Sequence, residues 1–299
     1  MNNIKNKFSI KDLENLTGIK AHTIRIWEKR YNLLSPQRTD TNIRYYDLAN
    51  FQKLLNVSYL NSNGYKISKI ATLDEHQIPL LVREIAAQNN IESHALNSFK
   101  LSMLNFDQVL FYNTYEALLR ERDFAEIFTD VFIPLLTEIG LLWQTNTITP
   151  AHEHFITTFI RQKILINTER IQAKAQQNSK TTYVLYLPDN EIHELGLLFI
   201  NYMVIKNGHH GIFLGQSVPI DSLKDLLNYY DDLIFISYFT IQPDKESING
   251  YIKEFYREIL KNNKVEYWIL GRMINSLNLD ILPEKITTFN SIEALVSKL

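Results

Sequence analysis

The last third of the sequence alternates short apolar runs with longer segments of helical periodicity. Helical spacing is seen over 195–207, 220–229 and 245–262, with a short helix at the end of the chain. The apolar runs read as buried strands, and they begin at Tyr183, Gly211, Leu233, Val265 and Ile286. Strands that alternate with helices build a doubly wound parallel sheet, whose ligands bind beyond the carboxyl ends of the strands. Residues 176–299 are therefore predicted to form a parallel α/β domain.

Residues 77–175 have a different pattern, because apolar side chains recur at three- and four-residue intervals. Leu101, Leu104 and Val109 are examples, and Pro134 and Pro150 are among the few residues that interrupt the pattern. This periodicity predicts a four-helix bundle. The short polar segment 176–182 that follows is predicted to be a linker.

The first 76 residues read as two short helices around a glycine, followed by a polar hairpin. Ser9 can cap the first helix, and Gly18 provides the turn. The second helix, over about 21–31, places Ile24 and Trp27 inward. Residues 34–47 are too polar and too interrupted for a helix, and they suit a two-stranded wing. The pattern predicts a winged helix-turn-helix.

Charge is distributed unevenly along the chain, whose formal net charge is -2. Residues 1–76 carry 12 Lys and Arg against 7 Asp and Glu, which leaves 19 against 26 for the remainder. A basic head on an acidic body favours nucleic acid as the partner of the head.

Several classes of protein are excluded by composition. No apolar stretch approaches the ~18 residues of a membrane-spanning helix, and the polar N-terminus leads into no signal-peptide core. The sequence has no cysteine, which excludes disulfides, iron–sulfur clusters and thiolate metal sites. A cytoplasmic protein is expected.

The segments 23–38 and 42–47 resemble the MerR family of transcription regulators, with a match of about 70 residues. The resemblance implies that the helix from about Ala21 enters the major groove of an operator. Members of the family bind DNA as dimers, and here the bundle is expected to provide the self-association, as a homodimer or homotetramer. The residues expected to contact base edges are His22, Thr23 and Arg25, and those expected at phosphates are Arg38, Arg44 and Tyr45.

The loop after the first predicted strand of the α/β domain contains Glu191, His193 and Gly196. An imidazole can bind a metal through one nitrogen while a carboxylate holds the other, and a glycine lets the backbone approach a large planar ligand. From the residues alone, a solvated loop histidine is the competing interpretation.

The string Asp/Glu-x-His-x-x-Gly resembles the cobalamin-binding signature of the class in which a histidine replaces the lower base. The resemblance implies a flavodoxin-like domain with His193 as the lower axial ligand of cobalt. It also assigns Gly215 to the segment after the second strand, Ser237 to the nucleotide tail and Gly271 to the first glycine of a pair. Arg272 stands where the family has the second glycine. This departure puts in question whether the channel for the nucleotide tail is open here.

In the predicted bundle, Trp143 is followed after nine residues by Glu153 and His154. This spacing resembles the light-responsive, adenosylcobalamin-dependent MerR regulators of the CarH/LitR type, which have the same order of domains. The resemblance implies that Trp143 covers the upper axial ligand, with Glu153 and His154 nearby. It also implies that His154 can become the upper ligand after photolysis.

Together these patterns predict a DNA-binding repressor controlled by cobalamin, most naturally a light sensor using adenosylcobalamin. One alternative is a regulator that senses another cobalamin form, or that acts through protein contacts without a cofactor. The other is a cobalamin-dependent enzyme of the methyltransferase type. The DNA-binding head and the lack of a candidate substrate domain argue against an enzyme.

Overall fold

The head, residues 1–76, begins with a helix whose N-terminal cap can be recognised in the sequence. Ser9 and Asp12 form a reciprocal capping box at the start of α1 (Ile10–Thr17), and Gly18 ends the helix at φ +73°. The second helix, α2 (Ala21–Tyr31), buries Ile24 and Trp27 as predicted. The wing consists of the antiparallel strands β1 (Gln37–Arg38) and β2 (Arg44–Tyr45). The head continues with α3 (Leu48–Ser62) and α4 (Ile67–Ile70).

This computed structural model describes residues 7–39, 41–74, 76–88, 91–145, 147–172, 180–278 and 282–299. The chain divides into two compact units, residues 1–159 and 160–299. The predicted linker over 176–182 and the domain boundary before it fall mostly outside the described residues, and Thr182 already belongs to a strand.

The middle of the chain is helical, as its periodicity predicted. A run of buried aromatic rings forms its core, with Phe99 lying 4.9 Å from Phe111 and 5.5 Å from Phe132 between ring centroids. Pro150 stands at the start of α10, where a missing N–H costs no helical hydrogen bond. Pro134 lies in the first turn of α9, directly after a π-helical turn. The helices are α5 (Gln77–Gln88), α6 (Ile91–Asn105), α7 (Gln108–Leu119), α8 (Phe124–Ile127), α9 (Ile133–Gln144) and α10 (Pro150–Gln172), with a π-helical turn Phe128–Phe132 joining α8 to α9.

The last part of the chain forms a parallel five-stranded sheet of order β4-β3-β5-β6-β7. The strands are β3 (Thr182–Tyr186), β4 (His210–Gly215), β5 (Leu233–Tyr238), β6 (Val265–Leu270) and β7 (Ile286–Phe289). The helices are α11 (Leu195–Lys206), α12 (Ile220–Leu223), α13 (Ile248–Phe255) and α14 (Ile292–Val296). This order confirms the predicted doubly wound α/β class.

Two of the helices that flank this sheet are shorter or less regular than the sequence pattern indicates. The segment predicted as a helix over 220–229 is α12 followed by a 3-10 turn, Lys224–Asn228. In the segment 245–262, α13 begins only at Ile248, because Asp244 accepts hydrogen bonds from the amides of Glu246 and Ser247 and holds a turn before the helix.

The strand order also locates the position at which a ligand is expected. The chain runs outward from β3 to β4 and then returns to β5 on the other side of β3. Loops therefore diverge at the carboxyl ends of β3 and β5 and leave a crevice at this switch point. Among the described residues, no helix is long and apolar enough to cross a membrane.

Candidate functional site

A single carboxylate joins the two loops at the switch point. Glu191, in the loop after β3, is completely buried, and its Oε2 accepts hydrogen bonds from the backbone amides of Thr240 (3.1 Å), Ile241 (2.7 Å) and Gln242 (2.8 Å) in the loop after β5. Its Oε1 accepts from the amide of His193 at 2.9 Å and lies 2.6 Å from His193 Nδ1. The carboxylate thus links the two loops and holds the histidine of its own loop.

Glu191 is an anion at neutral pH in spite of its burial. Burial raises the pKa of the carboxyl group. Hydrogen bonds from the His193 side chain and from the amides of Gln242, Ile241 and His193 outweigh this effect and lower the pKa to about 2. A carboxylate that stays ionised can hold the imidazole through a strong, charge-assisted hydrogen bond.

The contact with Glu191 determines which nitrogen of His193 can bind a metal. A proton on Nδ1 faces the carboxylate, so the lone pair of the neutral ring lies on Nε2. The His193 side chain is 40% exposed, whereas that of Glu191 is 1% exposed. A histidine oriented in this way by a carboxylate is the usual arrangement of a metal ligand. The residues therefore fit a cofactor whose metal brings its other ligands and needs one axial donor.

The glycines and the serine of the predicted site lie at the same edge of the sheet. Gly196 lies in the first turn of α11 against the ring of Tyr238, where a Cβ would lie 2.7 Å from the tyrosine Cε2. Ser237, at the end of β5, is buried and donates to the carbonyl of Tyr186 at 2.9 Å. Gly215 ends β4 at φ +84°, and its carbonyl accepts from the amide of Leu187 at 2.9 Å. The structure thus brings these predicted residues together at the carboxyl edge of the sheet.

Gly271 and Arg272 follow β6 at this edge. Gly271 has φ +109°, and a Cβ there would lie 2.4 Å from the carbonyl oxygen of Phe239, so this position requires glycine. Arg272 is exposed and starts a 3-10 turn, Arg272–Ser276. The backbone around Arg272 therefore leads the side chain toward solvent at the rim of the sheet.

Sequence reasoning missed an apolar rim around the histidine loop. Ile192 is 60% exposed, Ile241 45% and Leu214 39%. These residues stand in the loop after β3, in the loop after β5 and near the end of β4, so they share the edge that carries His193. Exposed apolar side chains gathered at one edge are a usual mark of a binding surface. No local sequence signal distinguishes them from buried strand residues.

In the helical part, the predicted residues lie on either side of the connection between α9 and α10. Trp143 is in the last turn of α9 and is 51% exposed, so it is not a core residue. Glu153 is half-buried and His154 exposed, both in the first turn of α10. The nearby His152, which is not among the predicted residues, is buried and stacks on Phe106 with 4.8 Å between ring centroids.

The recognition helix and the wing are joined by Glu28, which sequence reasoning missed. Its carboxylate accepts from Arg44 Nε at 3.1 Å and from the hydroxyl of Tyr46 at 2.9 Å. Burial and this carboxylate raise the pKa of Tyr46. The predicted phosphate contact Arg44 is therefore held against α2, and Glu28 is a positioning residue for it.

The other predicted DNA-contacting residues lie on the helix and on the hairpin. His22 and Arg25 are exposed on α2, and Thr23 is half-buried. In the wing, Arg38 Nη1 donates to Asn42 Oδ1 at 2.7 Å, and the hydroxyl of Tyr45 donates to Gln37 at 2.6 Å. These bonds order the hairpin across its two strands.

Two family models match the chain. Residues 8–77 match the MerR HTH family regulatory protein, and residues 95–166 match the B12 binding domain. The first match covers the head described above. The second covers α6 to most of α10, including Trp143, Glu153 and His154.

The chain is also similar to known proteins and to a solved structure. The HTH-type transcriptional repressor CarH of Myxococcus xanthus is 28% identical over 215 residues, which are 70% of this chain and 70% of that protein. The HTH-type transcriptional repressor CarA of the same organism is 24% identical over 247 residues, 79% of this chain and 78% of that protein.

The fold is similar to that of the Methanosarcina barkeri monomethylamine corrinoid protein, with a TM-score of 0.56 and 11% identity. This match covers 69% of the chain and 97% of that structure. The chain thus carries a MerR-type helix-turn-helix and a B12-binding domain, and it is homologous to the MerR-family transcriptional repressors CarH and CarA.

Proposed function

We propose that the chain is a cytoplasmic transcription repressor, not an enzyme, and that cobalamin bound at His193 controls its binding to operator DNA. The observation that carries the proposal is the Glu191–His193 pair at the switch point. His193 would hold the cobalt as its lower ligand, and Glu191 would orient the ring through its contact with Nδ1. The apolar rim of Ile192, Leu214 and Ile241 supports this role, because a corrin ring has a large apolar edge.

The homologous CarH/LitR-type pattern supports the upper-face roles proposed for the helical part. Trp143 would cover the upper axial group, and its large exposed ring is suited to contact with a ligand. Glu153 and His154 would contribute to the same upper-face site, His154 as a replacement ligand. When bound, adenosylcobalamin would supply a cobalt–carbon bond that visible light can break.

A hydrogen bond within the first compact unit offers a route from this region to the head. Asn15, on α1, donates from Nδ2 to Thr147 Oγ1 at 3.0 Å. Thr147 is fully buried, and its hydroxyl lies 2.9 Å from that of Thr145. These threonines stand in the connection that begins just after Trp143, so a shift of that connection would reach a helix packed against the recognition helix. This contact supports control of DNA binding by the state of the ligand.

Self-association completes the proposed mechanism. A single head with Arg38 and Arg44 in its wing makes few phosphate contacts, so high occupancy of an operator needs two or more heads on one assembly. A ligand that favours the assembled form then also favours DNA binding, and the coupling is reciprocal. We propose a homodimer or homotetramer as the DNA-binding form.

The test is binding of adenosylcobalamin to the full chain in the dark, followed by its absorption spectrum during size-exclusion chromatography. The wild type and the control His76→Ala, which removes an exposed histidine of the first unit, should both carry corrin absorbance. His193→Ala should lose it or bind at least tenfold more weakly. Equal binding by His193→Ala would refute the role of this ligand, and a wild type without corrin absorbance would refute the cobalamin proposal.

The same samples test the regulatory part of the proposal. Operator binding by the loaded wild type should differ between dark and green light, with a change in oligomeric state at the same time. If light alters the corrin spectrum but leaves DNA binding unchanged, photolysis of adenosylcobalamin does not control DNA binding. That outcome would favour a regulator that senses another form of cobalamin.

A further inference from the structure

The loop that carries His193 is attached to the long helix α10 by an ion pair. Arg161, on α10, donates from Nε to Oε1 of Glu194, the residue that directly follows the histidine. Both partners belong to the second compact unit, residues 160–299. The contact joins positions that are 33 residues apart in the sequence, so it fixes the loop to an element that is remote along the chain.

The carboxylate of Glu194 depends on Arg161 for its charge partner. The side chain of Glu194 is 8% exposed, whereas that of Arg161 is 52% exposed. Glu194 occupies the N-cap position of α11, yet its side chain makes no capping hydrogen bond. Among the residues that the structure describes, Arg161 is the one basic group at ion-pair distance from it. A buried carboxylate without a partner is costly, so the ion pair stabilises the loop conformation that buries Glu194.

His193 is therefore held from two sides. Glu191, two residues before the histidine, is bound by amides of the loop after β5, among them that of Ile241 at 2.7 Å. Glu194, the residue after the histidine, is bound by Arg161 of α10. The two carboxylates attach one short loop to two different elements. A shift of the loop must therefore disturb at least one of these contacts.

Arg161 also shares a helical face with a residue proposed for the upper face of the ligand. His154 lies seven residues before Arg161 in α10, which places both side chains on the same side of the helix, about 10.5 Å apart along its axis. Thr158, four residues after His154, belongs to the same face, and all three residues are exposed. One continuous face of α10 thus carries both His154 and the contact to the histidine loop.

From these contacts we infer that Arg161 is a positioning residue for the histidine loop, and that its ion pair with Glu194 couples this loop to α10. The inference deepens the proposed function and rests on it for the role of cobalamin. When His193 takes up or releases a metal, the loop shifts, and the ion pair transmits the shift to the helix whose first turn holds Glu153 and His154. Loss of the pair should uncouple loop and helix without removing a ligand of the metal.

Three variants separate this coupling from a general loss of stability. Arg161→Gln leaves the buried carboxylate of Glu194 unpaired, whereas Glu194→Gln and the double variant leave no unpaired buried charge at this contact. The double variant should therefore fold even where Arg161→Gln does not. Arg170→Gln is the matched control, because it removes an exposed guanidinium from the last turn of the same helix.

Hydrogen exchange of the full chain without a cofactor tests the positioning role by itself. The reporter is the amide of Leu198, which donates to the carbonyl oxygen of Glu194 at 2.8 Å in the first turn of α11. Arg161→Gln should accelerate its exchange about tenfold or more, because the unpaired carboxylate favours opening of the loop. The double variant should stay within about twofold of Glu194→Gln, because both lack the same contact. Arg170→Gln should match the wild type.

The same proteins test the coupling with adenosylcobalamin bound in the dark. The ratio of operator affinities with and without the cofactor should fall about fivefold or more in the double variant, because the loop no longer acts on α10. The affinity of the double variant for adenosylcobalamin should stay within about threefold of the wild type, because His193 and Glu191 are unchanged.

Three results overturn the inference. The first is exchange at Leu198 that neither Arg161→Gln nor Glu194→Gln alters. The second is much faster exchange in the double variant than in Glu194→Gln, because Arg161 would then act through a different contact. The third is a ratio of operator affinities in the double variant equal to that of the wild type. If the wild type binds no adenosylcobalamin, the proposed function fails, and the exchange rates alone decide whether Arg161 positions the loop.

Discussion

Replacing Glu191 by Gln removes a buried negative charge at the switch point with almost no change in volume. The pKa of Glu191 is about 2, whereas the ordinary value is 4.5. Burial works against this difference, and the hydrogen bonds from His193 and from the amides of Gln242 and Ile241 produce it. The lowering of the pKa corresponds to about 3 kcal/mol of stability of the folded chain when Glu191 is ionised, because each pKa unit is worth ~1.4 kcal/mol.

The sign of this contribution determines the pH range in which it can be seen. A group with a lowered pKa stabilises the folded chain fully above its unfolded pKa, near 4.5, and loses that contribution as the pH falls through about 2. The difference between the wild type and Glu191→Gln should therefore be constant from neutral pH down to about 5. It should shrink steadily between about 4.5 and 2.

Hydrogen exchange of the full chain measures this difference where it arises. The amides of Thr240, Ile241 and Gln242 donate to Glu191, so they should exchange about 100-fold faster in Glu191→Gln at pH 7 if the full ~3 kcal/mol appears as local opening. Mass spectrometry of peptides that cover this loop reports the rates, after correction for the pH dependence of intrinsic exchange.

Asp244→Asn is the matched control, because Asp244 caps a turn in the same loop through the amides of Glu246 and Ser247. It should accelerate exchange at those two amides and leave the three that contact Glu191 unchanged. Exchange of the amides of Thr240 to Gln242 within threefold of the wild type in Glu191→Gln would contradict the argument. The two loops would then be held together by packing and not by the carboxylate.

Three further changes test other parts of the molecule. Arg44→Ala should weaken binding to all DNA sequences alike and reduce the salt dependence of log K by about 0.9 per head, measured by fluorescence anisotropy between low and moderate salt, because one phosphate contact is lost. An unchanged slope would remove Arg44 from the interface. Trp143→Ala should alter the response to light or to the upper axial group while the affinity for cobalamin changes less than threefold, and an unaltered response would count against the role proposed for Trp143. Asn15→Ala and Thr147→Val should each reduce the ratio of operator affinities with and without cobalamin by about 2- to 10-fold, the worth of one hydrogen bond, with little effect on cobalamin binding. A ratio equal to that of the wild type would show that the head is controlled by another route.

Local patterns were sufficient for most of the secondary structure and for the fold class. Ser9 and Gly18 mark the ends of α1 through backbone geometry that depends on only a few neighbouring residues. The apolar runs beginning at Leu233 and Val265 predict buried parallel strands because both faces of such a sheet are covered by helices. These features depend on short stretches of sequence, so the sequence pattern alone could predict them.

The partners of the site residues could not be predicted in the same way. Glu191 accepts from amides about fifty positions further along the chain, and Glu28 reaches Arg44 across the turn of the wing. Many donors along the sequence could pair with Glu191 or with Glu28, and only the folded structure determines which of them does. Tyr238 is a further example, because its contact with Gly196 depends on how α11 packs beside β5.

The hydrogen bonds of Glu191 to both loops also explain how a ligand at the switch point can affect the two loops together. The loops after β3 and β5 share one buried anion, so neither can move far without breaking charge-assisted hydrogen bonds to the other. A metal bound at His193 Nε2 would withdraw electron density from the ring and strengthen the bond between Nδ1–H and Glu191. Binding would thereby tighten both loops together. A ligand on His193 should therefore slow hydrogen exchange at the amide of Ile241, and an unchanged rate would mean that the two loops respond independently.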